Sequence, residues 1–327
     1  MDSNDFKYTY DPDQVFDNKK KMKGWKKGLI IFGTVIAIII VIALLGNRIS
    51  SPGRGRPYVG IVNINGVIGG NSIKESYNQD WVLNTIDMLE DDDKNRGLLI
   101  AVDSPGGSVY DTAEVYAKLL EYKEKTGRPV YAYMKSMAAS GGYYISMAAD
   151  KVYANENCWT GSIGVIVGTM YDYSKLLDKI GVKGTNITSG PNKAMGRGNE
   201  PLTEEQKAIF QSIVDESYDT FVDVVCKGRK MDQSQVRKLA DGRIYSGKQA
   251  AELNLIDGTM LEEEAIDRLK KKCGVESDQE LSFKPKTGIS SILGSQSNSK
   301  DVSESLMELI EDKGKFTVTY LAPIDNR

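Results

Sequence analysis

Twenty consecutive residues, Gly28 to Asn47, carry no charge, and the stretch GLIIFGTVIAIIIVIALL within them is almost wholly apolar. As a helix rising about 1.5 Å per residue, such a run reaches roughly 30 Å, the thickness of a bilayer's hydrocarbon layer. Lys19, Lys20, Lys21, Lys23, Lys26 and Lys27 precede it, and only Arg48, Arg54 and Arg56 follow it closely. The positive-inside bias predicts one transmembrane helix over 28–47, with a cytoplasmic N-terminus and an extracytoplasmic remainder. A cleaved signal peptide is the rival reading. The run is longer than a usual signal-peptide core, and neither an A-x-A site nor a lipid-accepting Cys follows it.

The span divides the chain into a basic cytoplasmic tail (1–27), the helix (28–47), a linker rich in Pro, Gly and Arg (48–57), an extracytoplasmic domain (58–285) and a C-terminal linker and tail (286–327). Residues 1–57 carry a net charge of +5 and the rest −8. The basic stretch reads as a contact with the membrane surface, and the acidic body gives no sign of nucleic-acid binding. Cys158, Cys226 and Cys273 are too few and too scattered for a disulfide framework or a metal site. The chain has no histidine, which excludes Ser-His-Asp, Cys-His and His-metal chemistry. A base working near neutral pH must then be Lys, a carboxylate, Tyr or Cys. No metal or cofactor is expected.

Within the body, apolar runs alternate with helical spacing. Strands are expected at 58–68, 97–102, 129–134, 152–154, 163–170 and 184–188. Helices are expected at 81–89, 109–125, from about Ser140, at 173–180 and over 203–227. The last opens on a capping box of Thr203 and Gln206. Strands alternating with helices predict βα units around a largely parallel sheet.

Three Gly-rich patches fall at strand–helix junctions. In Asp103-Ser104-Pro105-Gly106-Gly107 a double Gly lets the backbone expose N–H groups, as an oxyanion hole requires, or simply makes a βα turn. In Met137-Ala138-Ala139-Ser140-Gly141-Gly142-Tyr143-Tyr144-Ile145, small neighbours leave the Ser140 hydroxyl unobstructed at a helix start. That suits a nucleophile, and it equally suits an N-cap. In Gly161-Ser162-Ile163-Gly164 the serine either orients a neighbouring amine or satisfies a turn. Without His, a serine nucleophile needs a lysine base whose pKa is lowered from about 10.4 by an apolar pocket. Lys193, in Ser189-Gly190-Pro191-Asn192-Lys193-Ala194-Met195-Gly196, has no acid nearby in sequence; the alternative is an exposed loop lysine.

DSPGG, MAASGGYYIS, TGSIGVI and SGPNKAMG, in this order and spacing, together with ADGRIYSGKQAAELNLIDG late in the chain, resemble the signal peptide peptidase SppA family of Ser/Lys-dyad membrane proteases. The resemblance runs from about Tyr58 to Asp257. It implies an α/β fold, the spiral of βαββ units shared by Clp protease and crotonases, with additional helices. It implies that 58–285 is the protease domain, with Ser140 as nucleophile, Lys193 as general base and Ser162 orienting the lysine. The backbone N–H groups of Gly107 and Gly141 would form the oxyanion hole. It further implies a cyclic homo-oligomer, an octamer in short members, with Ser and Lys of each site from adjoining subunits. The substrates would be remnant signal peptides and other unfolded peptides at the outer face of the cytoplasmic membrane. Two rival functions remain at this level, a crotonase-like acyl-transfer enzyme and a non-catalytic membrane scaffold of the same fold. The segment Lys315–Arg327 (KFTVTYLAPIDNR) resembles an extended peptide substrate and is expected either to enter a substrate groove or to form a surface strand.

Overall fold

A computed structural model describes residues 55–70, 77–276, 280–283 and 319–321. The expected span over 28–47, the tail 1–27 and most of the C-terminal segment lie outside the described residues. Among those described, no helix is long and apolar enough to cross a membrane.

Strands β1 (Tyr58–Asn65), β2 (Asn95–Ser104) and β4 (Val130–Ala139) form the centre of a largely parallel sheet. Their side chains alternate between two cores. Val62, Ile64, Leu98, Ile100, Val102, Val130, Ala132 and Met134 face one core. Val59, Ile61, Leu99, Ala101, Tyr131 and Tyr133 face the other. Burial on both faces is why these strands read as continuous apolar runs, as parallel sheets require. Helices α1 (Gln79–Asp91) and α2 (Val109–Thr126) pack on the first face. On α2, Thr112, Val115, Leu119 and Tyr122 are buried at helical spacing; Ser108 caps its start, and Gly127, with φ 64°, ends it.

The chain continues through β3 (Gly106–Ser108), α3 (Gly141–Ser146), β5 (Lys151–Ala154), β6 (Trp159–Gly161), α4 (Ser174–Lys179), α5 (Glu204–Arg229) and α6 (Gln233–Leu239). It then forms β7 (Ile244–Ser246), α7 (Gly247–Glu252), β8 (Gly258–Thr259), α8 (Glu262–Cys273), β9 (Glu280–Phe283) and β10 (Thr319–Leu321). The sheet runs β7-β6-β4-β2-β1-β9, with β5 on β4 and β8 on β5. Every pairing in it is parallel except β6–β7. Helix α8 closes the second face with Ala265, Ile266 and Leu269.

Residues 163–203 depart from expectation. Neither 163–170 nor 184–188 is a strand; among these residues only Ile166 makes a β-bridge. Gly164 and Gly168 interrupt the first run, and among the described residues only Ile166 in it pairs with a neighbouring strand, at Thr319. Helix α4 lies within the expected 173–180 but buries no residue. Helix α5 carries the expected capping box and buries only Phe221, Val222, Val224 and Val225 in its second half. Residues 164 to about 217 thus form an exposed arm, with Ile180 62% and Ile187 96% exposed.

Candidate active site

Parallel strands end on a common edge, and in open α/β sheets that carboxyl edge is where ligands bind. The first half of β4 pairs with β5 and the second half with β6. The register Ala139↔Gly161 places Ser140 and Ser162, the next residue of each strand, side by side. Both have left-handed backbone, with φ 54° and 50°. In a residue with a Cβ such a conformation costs about 1–3 kcal/mol and persists only where neighbours enforce it. Here the Ser140 N–H donates to the Gly161 carbonyl (2.8 Å), and its own carbonyl accepts from the Tyr144 N–H (2.9 Å) at the start of α3. The result is a sharp strand-to-helix turn with the serine at its apex.

Ser140 occupies the N-cap position of α3, yet its side chain makes no capping bond. Its hydroxyl is buried, with the residue 1% exposed, and has no hydrogen-bond partner among the described residues. Capping therefore does not account for it.

The DSPGG patch is built as a scaffold for the next turn. The Asp103 carboxylate accepts from the Ser136 hydroxyl (2.5 Å) and the Met137 N–H (3.1 Å), tying β2 to β4 at an irregularity in their register. The Ser104 hydroxyl donates to the Gly66 carbonyl (2.6 Å) and accepts from the Gly106 N–H (3.1 Å). Gly106 has φ 103°, and a Cβ there would stand 2.7 Å from the Gly141 nitrogen. A Cβ on Gly141 would stand 3.2 Å from the Gly107 nitrogen. Only glycines let these backbones converge, so the N–H groups of Gly107 and Gly141 share a corner with Ser140. Two such donors beside a hydroxyl suit a developing oxyanion.

The C-terminal strand β10 lies across this corner. It pairs antiparallel with β3, Tyr320 opposite Gly107, while Thr319 exchanges backbone bonds with Ile166 (2.9 and 3.1 Å). Tyr320 is 1% exposed. Its ring packs against Tyr144 (centroids 5.1 Å) and Phe221 (4.7 Å), and its hydroxyl donates to the Ser217 carbonyl (3.1 Å). A strand held from both sides with its aromatic side chain buried fills a groove; it is not a surface strand.

Ser140, Ser162, Gly107 and Gly141 thus meet in one chain. Lys193 does not join them: it is exposed on the arm, its N–H bonded to the Gly190 carbonyl (3.2 Å). Cysteine offers no competing nucleophile. Burial pushes the Cys158 thiol up to about 12 and Cys273 to about 11, and burial together with Asp223 raises Cys226, so all three stay protonated at neutral pH. Thr112, Tyr144, Ser217 and Phe221 also border the site. Of these, only Tyr144 lies within a recognisable motif; the others arrive through long-range packing that no local pattern announces.

The description "Clp protease" matches residues 58–160, in keeping with this α/β architecture, and "Peptidase family S49" matches residues 122–276. A candidate signal peptide peptidase SppA of Enterococcus faecium is 42% identical over 216 residues, 64% of this chain and 62% of that protein. A candidate protease of Methanocaldococcus jannaschii is 32% identical over 265 residues, covering 76% of this chain and 84% of its own. The chloroplastic serine protease SPPA of Arabidopsis thaliana is 29% identical over 237 residues, 71% of this chain and 35% of its own. With the strained strand-to-helix turn at Ser140, the converging glycine backbones and these relatives in agreement, the chain belongs to peptidase family S49.

Proposed function

We propose that the chain is a membrane-anchored serine endopeptidase that cuts remnant signal peptides and other unfolded peptides at the outer face of the cytoplasmic membrane. The observation that carries this reading is the Ser140 hydroxyl, buried without a partner on a strained turn beside two backbone N–H groups. Ser140 Oγ attacks the scissile carbonyl and its proton passes to Lys193 Nζ. The N–H groups of Gly107 and Gly141 hold the oxyanion. The amine leaves with the proton from Lys193, and water then hydrolyses the acyl ester with Lys193 again as base. Ser162 orients the lysine amine.

Lys193 is exposed in a single copy and leaves Ser140 without a base, so an adjoining copy supplies it. The arm that carries Lys193 presents Leu176, Ile180, Val182 and Ile187 to solvent, an apolar surface for that copy. Head-to-tail contacts of this kind close into rings, in keeping with a cyclic oligomer. An extended substrate would take the path of β10 between β3 and Ile166, so the chain's own C-terminus competes for the groove and restrains the enzyme.

The test uses the full chain and a serine-directed fluorophosphonate. Wild type is expected to take one label at Ser140 by intact mass and to cut a quenched apolar peptide; Ser140→Ala and Lys193→Ala are both expected to be inactive. An equal mixture of the two variants, co-assembled, should recover about a quarter of wild-type activity, because half the copies hold the serine and half of their neighbours the lysine. Unlabelled, inactive wild type sinks the protease reading. Activity in Lys193→Ala places the base elsewhere, and no recovery places it within one copy.

A further inference from the structure

We propose that the Thr112 hydroxyl is a third donor of the oxyanion hole, an inference that rests on Ser140 acylation as read above. Thr112 lies in the first turn of α2, is 0% exposed, and its Oγ1 has no hydrogen-bond partner among the described residues. Buried hydroxyls seldom remain unpaired, and a helical threonine has a ready acceptor in the carbonyl four residues earlier. Other threonines of this chain use it: Thr85 donates to Trp81 (2.6 Å), Thr126 to Tyr122 (2.6 Å) and Thr220 to Glu216 (3.0 Å). Thr112 makes no such bond to Ser108.

Its oxygen instead lies against the oxyanion-hole backbone. A Cβ on Gly141 would stand 2.7 Å from Thr112 Oγ1 and 3.2 Å from the Gly107 nitrogen. The Thr112 oxygen and the Gly107 nitrogen therefore lie on the same side of Gly141, the residue directly after the nucleophile. The two unpaired hydroxyls of this region, those of Ser140 and Thr112, flank one peptide unit. Thr112 also sits in the first turn of an 18-residue helix, where aligned peptide dipoles favour negative charge. A donor without a partner before the reaction, beside the place where an oxygen gains charge, is strengthened selectively in the transition state. The bond moves no proton; it adds a donor to the oxyanion held by Gly107 and Gly141. Its effect therefore falls on kcat and leaves KM nearly unchanged.

Thr112→Val keeps the shape and removes the hydroxyl; Thr112→Ser keeps the hydroxyl and removes the methyl. In the full chain, Thr112→Val should lower kcat roughly a hundredfold to a thousandfold at near-constant KM, as loss of an oxyanion donor does. Fluorophosphonate labelling of Ser140 should slow in parallel, while the unfolding midpoint stays equal or rises. Thr112→Ser should restore kcat to within about threefold of wild type. A Thr112→Val enzyme within about twofold of wild-type kcat overturns the proposal, and so does a serine variant as slow as the valine one. If the valine variant does not fold, Thr112→Ala carries the same readouts. Failure of the underlying reading looks different, since wild type would then take no label at Ser140 at all.

Discussion

Ser140 combines two unfavourable features, a left-handed backbone (φ 54°, ψ −115°) and a buried hydroxyl without a partner among the described residues. Their removal should raise stability while abolishing activity, and two substitutions separate them. Ser140→Ala deletes the oxygen and keeps the Cβ. A buried unpaired polar group costs about 1–3 kcal/mol, and part of that relief is lost to the small void left behind, so a gain of about 1 kcal/mol is expected. Ser140→Gly also removes the Cβ that makes φ 54° costly. Relief of about 1–3 kcal/mol is offset by about 0.5–1 kcal/mol of extra chain entropy in the unfolded state. The glycine variant should therefore gain about 2 kcal/mol in all, or roughly 4–8 °C in Tm for a domain of this size.

Urea titration of the full-length variants, at one protomer concentration so that assembly does not shift the midpoint, measures both. The reasoning predicts the order Gly above Ala above wild type, with neither variant active. Wild type as the most stable of the three would refute the claim that the site stores strain. Alanine above glycine would leave the hydroxyl argument standing and remove the backbone one.

Tyr320→Ala takes from the C-terminal strand its buried ring and its bond to the Ser217 carbonyl. If the strand competes with substrate, losing about 2–3 kcal/mol of burial should lower the apparent KM by thirtyfold or more, up to the point at which the groove is fully open. A free peptide of residues 317–323 should inhibit that variant, and an unchanged KM would mean that the strand does not hold the groove shut. At Asp257, burial alone would raise the carboxyl pKa, but bonds from Lys151 (2.8 Å), Arg229 (2.9 Å) and the Val152 N–H (2.9 Å) outweigh it and hold it below the usual range. A depressed carboxyl stabilises the fold above its unfolded value of about 3.9 and loses that contribution as pH falls through its folded value. Asp257 is partly exposed, so Asp257→Asn should cost about 1–2 kcal/mol at pH 7 and differ little from wild type near pH 2 in denaturant titrations.

The central strands were legible because each is buried on both faces, so β1, β2 and β4 appear as unbroken apolar runs. Helix α2 was legible from its stripe between Ser108 and Gly127. Residues 163–170 are as apolar as a strand, but a strand exists only with a neighbour, and apart from Ile166 their backbone has none among the described residues. The candidate site divides the same way. Ser140, Gly107, Gly141 and Ser162 stand in glycine-rich junctions that carry their own local signal. Thr112 and Phe221 sit inside regular helices and reach the site only because β2 and β4 pair in parallel and α5 folds back on α3. Tyr320 comes from farther still, more than two hundred residues after the strand it pairs with.

That long return has a consequence for control. Among the described residues of a single chain no base stands beside the Ser140 hydroxyl, and β10 lies across the same corner. On the proposed reading, activity then needs two separate events, arrival of Lys193 from another copy and departure of the C-terminal strand. The first depends on protomer concentration, whereas the second is intramolecular and does not. A dilution series at subsaturating substrate therefore separates them: specific activity of wild type should fall on dilution below the assembly constant, and Tyr320→Ala should raise the plateau without moving that midpoint. A midpoint that moved with the substitution would mean that the strand also bridges copies, seated in a neighbour's groove and not its own.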